Sequence, residues 1–365
     1  MKFKTNKSEL KAAVESASKA VDSRPIQPIL ENILISVEGE KVSLTGFDFK
    51  IGVSRFFSAS ETEEGSVAVP SEILKNVVDK LPEGIVHIET DEEFFKLICL
   101  QGTFKIRYQN PEEYPALPLE KESEIQLPEG IAEGIAKVLP CVSKEETKRV
   151  LTGVNFRFAG EALHLESTDG HRMAKVDFNL EVPEGFAGKS FILPANACTE
   201  IQKLLGKEEA VFYFSENKVS VEGENQIIYA RLLEGEFPDV SALISGSYRN
   251  KVVVDASEFL EALNRAAAFS DKVLLTPKDS SLKIEAENQD FGISSEELDC
   301  ELVNFENYHC IYANNTYVKD GCKVFKGCQV ALHTNGKNQP IVISPLENEG
   351  DEQSLYLFMP MQGKE

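Results

Sequence analysis

The residues best equipped for chemistry lie in one string, Thr168-Asp-Gly-His-Arg-Met-Ala174. An acid and an imidazole two positions apart, joined by any of the chain's serines, would supply the parts of a hydrolase triad. The spacing argues otherwise, because the Gly between Asp169 and His171 suits a tight turn better than an oriented base. There is no Gly-x-Ser-x-Gly, no phosphate-binding loop and no dinucleotide fingerprint. Of the 5 histidines only His164 and His171 are close, with no cysteine near them, and the 7 cysteines contain no Cys-x-x-Cys pair. Neither a zinc site nor a disulfide framework is indicated. The expectation is a protein with no catalytic residue, no metal and no cofactor.

What remains is binding. The formal charge of −22 disfavours a phosphate backbone when taken as an average. The charge is unevenly placed, however. Six segments with helical patterning (7–24, 70–81, 131–149, 194–207, 255–272 and 313–327) hold 17 Lys and Arg against 14 Asp and Glu, so the acid sits on the remaining strands and loops. Helices sharing one weakly basic wall would make salt-sensitive contacts to a polyanion that carry no sequence information. The segment 255–272 is the exception, with Arg265 and Lys272 against four acids.

The elements that must position these residues repeat. A large apolar residue precedes proline at Tyr114-Pro115, Phe237-Pro238 and Met359-Pro360, the prolines lying 123 and 122 residues apart. Strand-like strings centred on Leu44, Leu165 and Ile284 keep nearly the same interval, as do the helix starts at Pro70, Pro194 and Asn314. Three markers sharing one period indicate three copies of one domain, 1–122, 123–246 and 247–365. Each copy opens with an amphipathic helix, the first over about Ser8 to Val21 with Leu10, Ala13, Val14, Ala17 and Val21 on one stripe. The second helix lies near Ile131 to Leu139 and the third runs from Ser257 to Phe269. Short alternating runs such as Asn32-Ile-Leu-Ile-Ser-Val follow, joined by turns too short for helical crossovers. The fold class is therefore α+β, with two helices and about eight antiparallel strands per copy.

The strings Thr168-Asp-Gly-His-Arg-Met-Ala174, Glu236-Phe-Pro-Asp239 and Leu357-Phe-Met-Pro-Met361 occur in that order with Lys148-Arg-Val-Leu-Thr-Gly153, Arg24-Pro-Ile-Gln-Pro-Ile-Leu30 and an opening Met-Lys-Phe. Together they resemble the bacterial sliding clamp family, the beta subunit of DNA polymerase III, over essentially the whole chain. The resemblance implies half of a closed six-domain ring. Two chains would join head to tail, helices would line a hole that holds duplex DNA without sequence preference, and no reaction would be catalysed. It implies a pocket for short peptides with a Gln and bulky apolar anchors, offered by the replicative polymerase, the clamp loader and repair proteins. The matching positions are Leu151, Thr168, Gly170, His171, Arg172, Met173, Pro238, Leu243, Leu357, Phe358, Met359, Pro360 and Met361. Methionines and leucines make an adaptable surface for several partners. Ala242, Ser245 and the Gln362–Glu365 tail depart from the family pattern.

For DNA, Arg24, Lys148 and Arg149 match contact positions of the family, and Lys75, Lys203 and Lys319 join them by helix membership. For ring closure, the alternation Thr-Phe-Lys-Ile-Arg-Tyr over 103–108 sets Lys105 and Arg107 on one strand face, and 296–302 sets Glu297, Asp299 and Glu301 on another. Opposite-charge edges suit a heterologous interface. No apolar run reaches the ~18–20 residues of a membrane span, and the opening residues lack a signal stretch, so the cytoplasm is expected. The competing expectation is an acidic scaffold of repeated domains that binds peptides and no DNA.

Overall fold

The computed structural model describes the whole chain except Ser23, Lys207, Glu208, Ser245, Gly246 and residues 304–309, 348–351 and 363–365. Its described residues form six α-helices: α1 (Lys7–Ser18), α2 (Ser71–Lys80), α3 (Ile131–Val138), α4 (Ala195–Leu205), α5 (Ala256–Ala266) and α6 (Asn315–Val324). All six fall where the periodicity predicts. Pro70, Pro194 and Asn314 each stand immediately before a helix. The Asn314 carboxamide accepts the backbone N–H groups of Thr316 and Tyr317, and Asp255 caps α5 through Ser257 and Glu258. α1 ends at Ser18, short of the expected Val21, and Lys19 and Ala20 close it with shorter-range hydrogen bonds.

The strands form four sheets, and every described ladder is antiparallel. Two sheets belong to one compact unit, Met1–Glu129 with Thr199–Leu232. A five-stranded sheet ends on the Gly102–Arg107 strand, and an eight-stranded sheet includes Lys41–Phe47, Ile51–Ser58 and Gln226–Arg231. α1 buries Leu10, Ala13, Val14 and Ala17 against these sheets beside Leu74 and Val78 of α2. Gly46 permits that approach, because a Cβ there would lie 2.0 Å from the Ala17 carbonyl oxygen.

The second compact unit is Gly130–Cys198 with Leu233–Glu365. Its nine-stranded sheet includes Ala162–Thr168, Arg172–Asn179, Glu352–Phe358 and Ile341–Pro345, and its four-stranded sheet ends on Gly292–Asp299. Phe259 and Leu263 of α5, with Val318 and Cys322 of α6, are fully buried. Gly321 lets α6 sit on the sheet, since a Cβ there would press within 2.8 Å of Ile343 and Tyr356.

The division into two units rather than three copies has a cause in the ladders. The outer strand of the first copy's central hairpin, Ile51–Ser58, pairs with the last strand of the second copy, Gln226–Arg231. Likewise Arg172–Asn179 of the second copy pairs with Glu352–Phe358 of the third. The second copy thus gives one strand ladder to each neighbour.

Candidate functional site

The turn at 168–172 is built by its own polar side chains. The Asp169 carboxylate accepts the backbone N–H groups of His171 and Arg172 at 2.9 and 3.1 Å, and Thr168 Oγ1 accepts that of Gly170 at 3.0 Å. Gly170 adopts φ 92°, a left-handed conformation that favours glycine. Asp169 is therefore a turn former, and it orients no imidazole for proton transfer.

From this turn the Arg172–Asn179 strand runs beside Glu352–Phe358, with Met173 opposite Leu357. Met173, Leu357, Val342 and Val240 form a small buried cluster, joined by Phe237 and Ile244. Val240 anchors the 237–244 segment on the sheet, which brings Pro238 and Leu243 to the cluster's edge. The Met359 N–H donates to the His171 carbonyl at 2.9 Å, so Met359, Pro360 and Met361 continue from the strand end beside the turn. The Met361 N–H donates to the Tyr312 carbonyl. The result is a floor of buried Met173 and Leu357 with apolar groups left in solvent: Leu243 is 48% exposed, Met359 37% and Met361 40%. Leu151 and Thr168 are buried, and Val150 lies against Gly235, just ahead of the 237–244 segment. Exposed apolar groups over a packed floor suit hot-spot binding of a short peptide.

Two residues expected in the pocket wall do other work. Phe358 is fully buried and, by strand alternation, shares the helix-side face with Tyr356, opposite to Leu357. The Arg172 guanidinium turns to α6, donating to Asp169 at 2.9 Å, to Asp320 at 2.7 Å and to the Tyr356 hydroxyl at 3.2 Å, and it stacks 4.7 Å from the Tyr317 ring. Burial alone would raise the Asp320 carboxyl, but the hydrogen bonds from Arg172 and Lys323 hold it below its ordinary value. Asp320 and Tyr317 were not legible from sequence, because α6 meets Arg172 across 148 chain positions at Asp320.

The expected DNA contacts separate into groups. Arg24 is exposed in the loop after α1, where its backbone N–H donates to the Asp22 carboxylate at 3.0 Å, and Arg149 is exposed beyond the second copy's first helix. Lys75 on α2 and Lys319 on α6 are half-buried and carry no ion pair among the described residues. Lys203 pairs with Glu200 on α4 at 2.8 Å. Lys148 pairs with Glu145 at 3.5 Å, and its ammonium lies 3.8 Å from where a Gly170 Cβ would stand, so it borders the pocket turn. α5 keeps its acidic character, since Arg265 grips Glu296 with two nitrogens at 2.7–3.0 Å.

Two of the sheets' edge strands carry the residues expected at ring closure: Gly102–Arg107 ends the five-stranded sheet and Gly292–Asp299 ends the four-stranded one. On the first, Lys105 and Arg107 share the outward face with Phe94, their cations 6.0 and 5.0 Å from its ring. On the second, Glu297 and Asp299 share the outward face with Ile293. Glu301 departs from the expected run. The chain turns at Cys300, and Glu301–Val303 pairs with Asn250–Asp255 in the nine-stranded sheet, away from that edge. Sequence reading also missed the apolar groups on these edges, Phe104 (41% exposed) and Ile293 (66%), and Phe291 (74%) in the turn just before the second. The signal was present, because an apolar residue on an otherwise polar strand face needs a cover.

Comparison with known proteins adds to this geometry. Residues 1–118, 127–239 and 242–362 match the N-terminal, central and C-terminal domains of the DNA polymerase III beta subunit family. A beta sliding clamp of Synechococcus elongatus is 28% identical over 377 residues, covering 99% of both chains. Among solved structures, a DNA polymerase sliding clamp from Bacillus subtilis is 27% identical with a TM-score of 0.87 over 100% of both chains. A sliding clamp from Bartonella birtlesii bound to griselimycin is 25% identical with a TM-score of 0.88, again over 100% of each.

Proposed function

The chain belongs to the DNA polymerase III beta subunit family and is a non-catalytic DNA sliding clamp, and we propose how its residues divide that work. Two copies join head to tail into a ring around duplex DNA. The three copies of the domain, 1–122, 123–246 and 247–365, each supply two helices toward the duplex. Arg24, Arg149, Lys75 and Lys319 make its weak, sequence-independent phosphate contacts, and Lys203 adds to them at the end of α4. The acid-rich strands and loops repel DNA elsewhere. Weak contacts suffice because the hold is topological, and tight ones would oppose sliding. The Met173–Leu357 pocket takes short peptides with a Gln and bulky apolar anchors, through which the replicative polymerase, the clamp loader and repair proteins are tethered. This work belongs in the cytoplasm with the chromosome, and no described helix is long and apolar enough to cross a membrane.

The observation that carries this reading is the pattern of strand ladders. Within the chain, the outer hairpin strand of one copy pairs with the last strand of the next, twice. The third copy's hairpin strand, Gly292–Asp299, and the first copy's last strand, Gly102–Arg107, are the two members of that pattern still unpaired among the described residues. A second chain supplies both partners, and two such junctions close the ring.

The internal ladders also give a register. Arg55 pairs with Gln226. Glu296 holds Arg55's place, since Leu44 pairs with Arg55 and its counterpart Ile284 with Glu296. Gly102 holds Gln226's place by the matching hairpins Glu222/Ile227 and Ile98/Thr103. Gly102 then faces Glu296, Thr103 faces Ser295, and Lys105 lays its aliphatic stem over Ile293. Glu297 faces Gln101 in this register, so the charges of the two edges share a face without meeting directly.

Directly opposed residues place their Cβ atoms about 4.5–5.5 Å apart. A chain carrying Thr103→Cys and Ser295→Cys should therefore be closed by a short thiol cross-linker into a covalent ring, which then survives denaturant on nicked circular DNA. Cross-linked dimers that form without DNA retention, or no cross-linking beyond the unsubstituted chain, would contradict the proposal.

A further inference from the structure

We propose that Asp320, on α6 of the third copy, is a positioning residue for the peptide pocket, acting through Arg172. The inference rests on the pocket reading above and adds a residue that lies outside the pocket.

The pocket's rim comes from two copies of the domain. His171 belongs to the turn of the second, and Met359 to Met361 belong to the strand end of the third. The two meet in one backbone hydrogen bond, Met359 N–H to the His171 carbonyl at 2.9 Å. Beneath that bond, one guanidinium spans the same boundary. Arg172 Nε holds Asp169 Oδ2 of the turn at 2.9 Å, while Nη1 holds Asp320 Oδ2 at 2.7 Å and the Tyr356 hydroxyl at 3.2 Å. The side chains of Arg172, Asp169 and Asp320 are largely withdrawn from water, at 11, 17 and 17% exposure. A charge-assisted pair so placed is short, directional and sensitive to the loss of either partner.

Asp169 has two duties, shaping the turn with one oxygen and holding Arg172 with the other. Without Asp320, the guanidinium keeps Asp169, the Tyr356 hydroxyl and the Tyr317 ring but loses its charged anchor on α6. The strands stay paired from Arg172 and Phe358 onward, so what loosens is the turn ahead of them, where His171 stands, and the rim that a bulky anchor must fit becomes variable. The cost appears as peptide affinity. Tyr317, stacked on the guanidinium, limits where Arg172 can go instead.

The test is Asp320→Asn, with Asp320→Glu and Tyr356→Phe alongside, against a fluorescein-labelled peptide with Gln, Leu and Phe anchors. Kd is measured well below the melting temperature, and Tm is recorded without peptide. Asp320→Asn should weaken the peptide about tenfold and Tyr356→Phe by less, Asp320→Glu should restore part of the loss, and all three should remain dimeric. A double-mutant cycle with Arg172→Lys should show non-additive losses. If Asp320→Asn lowers Tm and leaves Kd unchanged, the residue only stabilises the fold and the proposal falls. Should Asp320→Asn fail to fold, Tyr356→Phe decides by the same comparison. If the unsubstituted protein binds no such peptide, the pocket reading itself has failed, which is a separate result.

Discussion

Ile293 offers a quantitative test of ring closure. It stands on the outward face of an unpaired strand edge with 66% of its surface in water, so in a single chain it does little. Full burial of an isoleucine is worth about 1.5–3 kcal/mol, and covering the exposed two-thirds is worth about 1–2 kcal/mol. A ring made of two head-to-tail junctions buries two copies of Ile293, so Ile293→Ser should weaken the dimer by about 2–4 kcal/mol. That is a rise of about 30- to 1,000-fold in its dissociation constant. Sedimentation velocity over a concentration series reads this directly, with thermal unfolding at a concentration where both proteins are monomeric as the control. The monomer should keep its Tm to within a degree or two, because a solvent-facing substitution of this kind costs little in the separate chain. An unchanged dissociation constant would refute the edge-to-edge junction. So would a large fall in monomer Tm, which would mean that Ile293 is covered within its own chain.

Other outcomes follow from the same geometry. Lys105→Glu with Arg107→Glu should weaken the dimer less than Ile293→Ser does, since neither cation faces an acid directly in the inferred register; a larger effect in sedimentation would favour direct ion pairs. Arg24→Ala with Arg149→Ala should flatten the salt dependence of binding to a short linear duplex, by about 0.9 in slope for each phosphate that is no longer neutralised, and an unchanged slope would remove them from the DNA-facing set. Deleting Met359 to Glu365 should abolish peptide binding and leave the dimer in place, whereas normal affinity in the peptide titration would refute the pocket. The Asp320 carboxyl is held below its ordinary value of 3.8, so the unfolded chain takes up its proton first as pH falls. Its stabilisation is full above pH about 4 and is lost as pH drops through the folded value. Calorimetry should therefore show a shallower acid decline of Tm in Asp320→Asn than in the unsubstituted protein.

Much of the architecture was legible because it depends on local signals. The apolar stripes of α1 and α5, and Pro70, Pro194 and Asn314 before their helices, need no distant partner to be read. The threefold interval then multiplied each local signal by three. What sequence could not supply was which strand lies beside which. Arg172 looked like a pocket residue from its string, but Asp320 and Tyr356 claim its guanidinium from far along the chain. Phe358 fell on the buried face because alternation from Leu357 put it there. In sequence Glu301 continues the acidic alternation of 297 and 299, yet the turn at Cys300 moves it to another sheet. Lys148, grouped with DNA contacts by its family position, also borders Gly170. Ser245 and Gly363–Glu365, where the chain departs from the family pattern, lie outside the described residues.

The measurement that bears most directly on the central claim is retention on circular and linear duplex DNA after loading by a clamp loader. Protein that stays on nicked circles through high salt, and runs off once they are cut, is held by topology, as a ring of two chains requires. Equal retention on both forms, falling with salt alone, would contradict the account and leave an ordinary electrostatic binder.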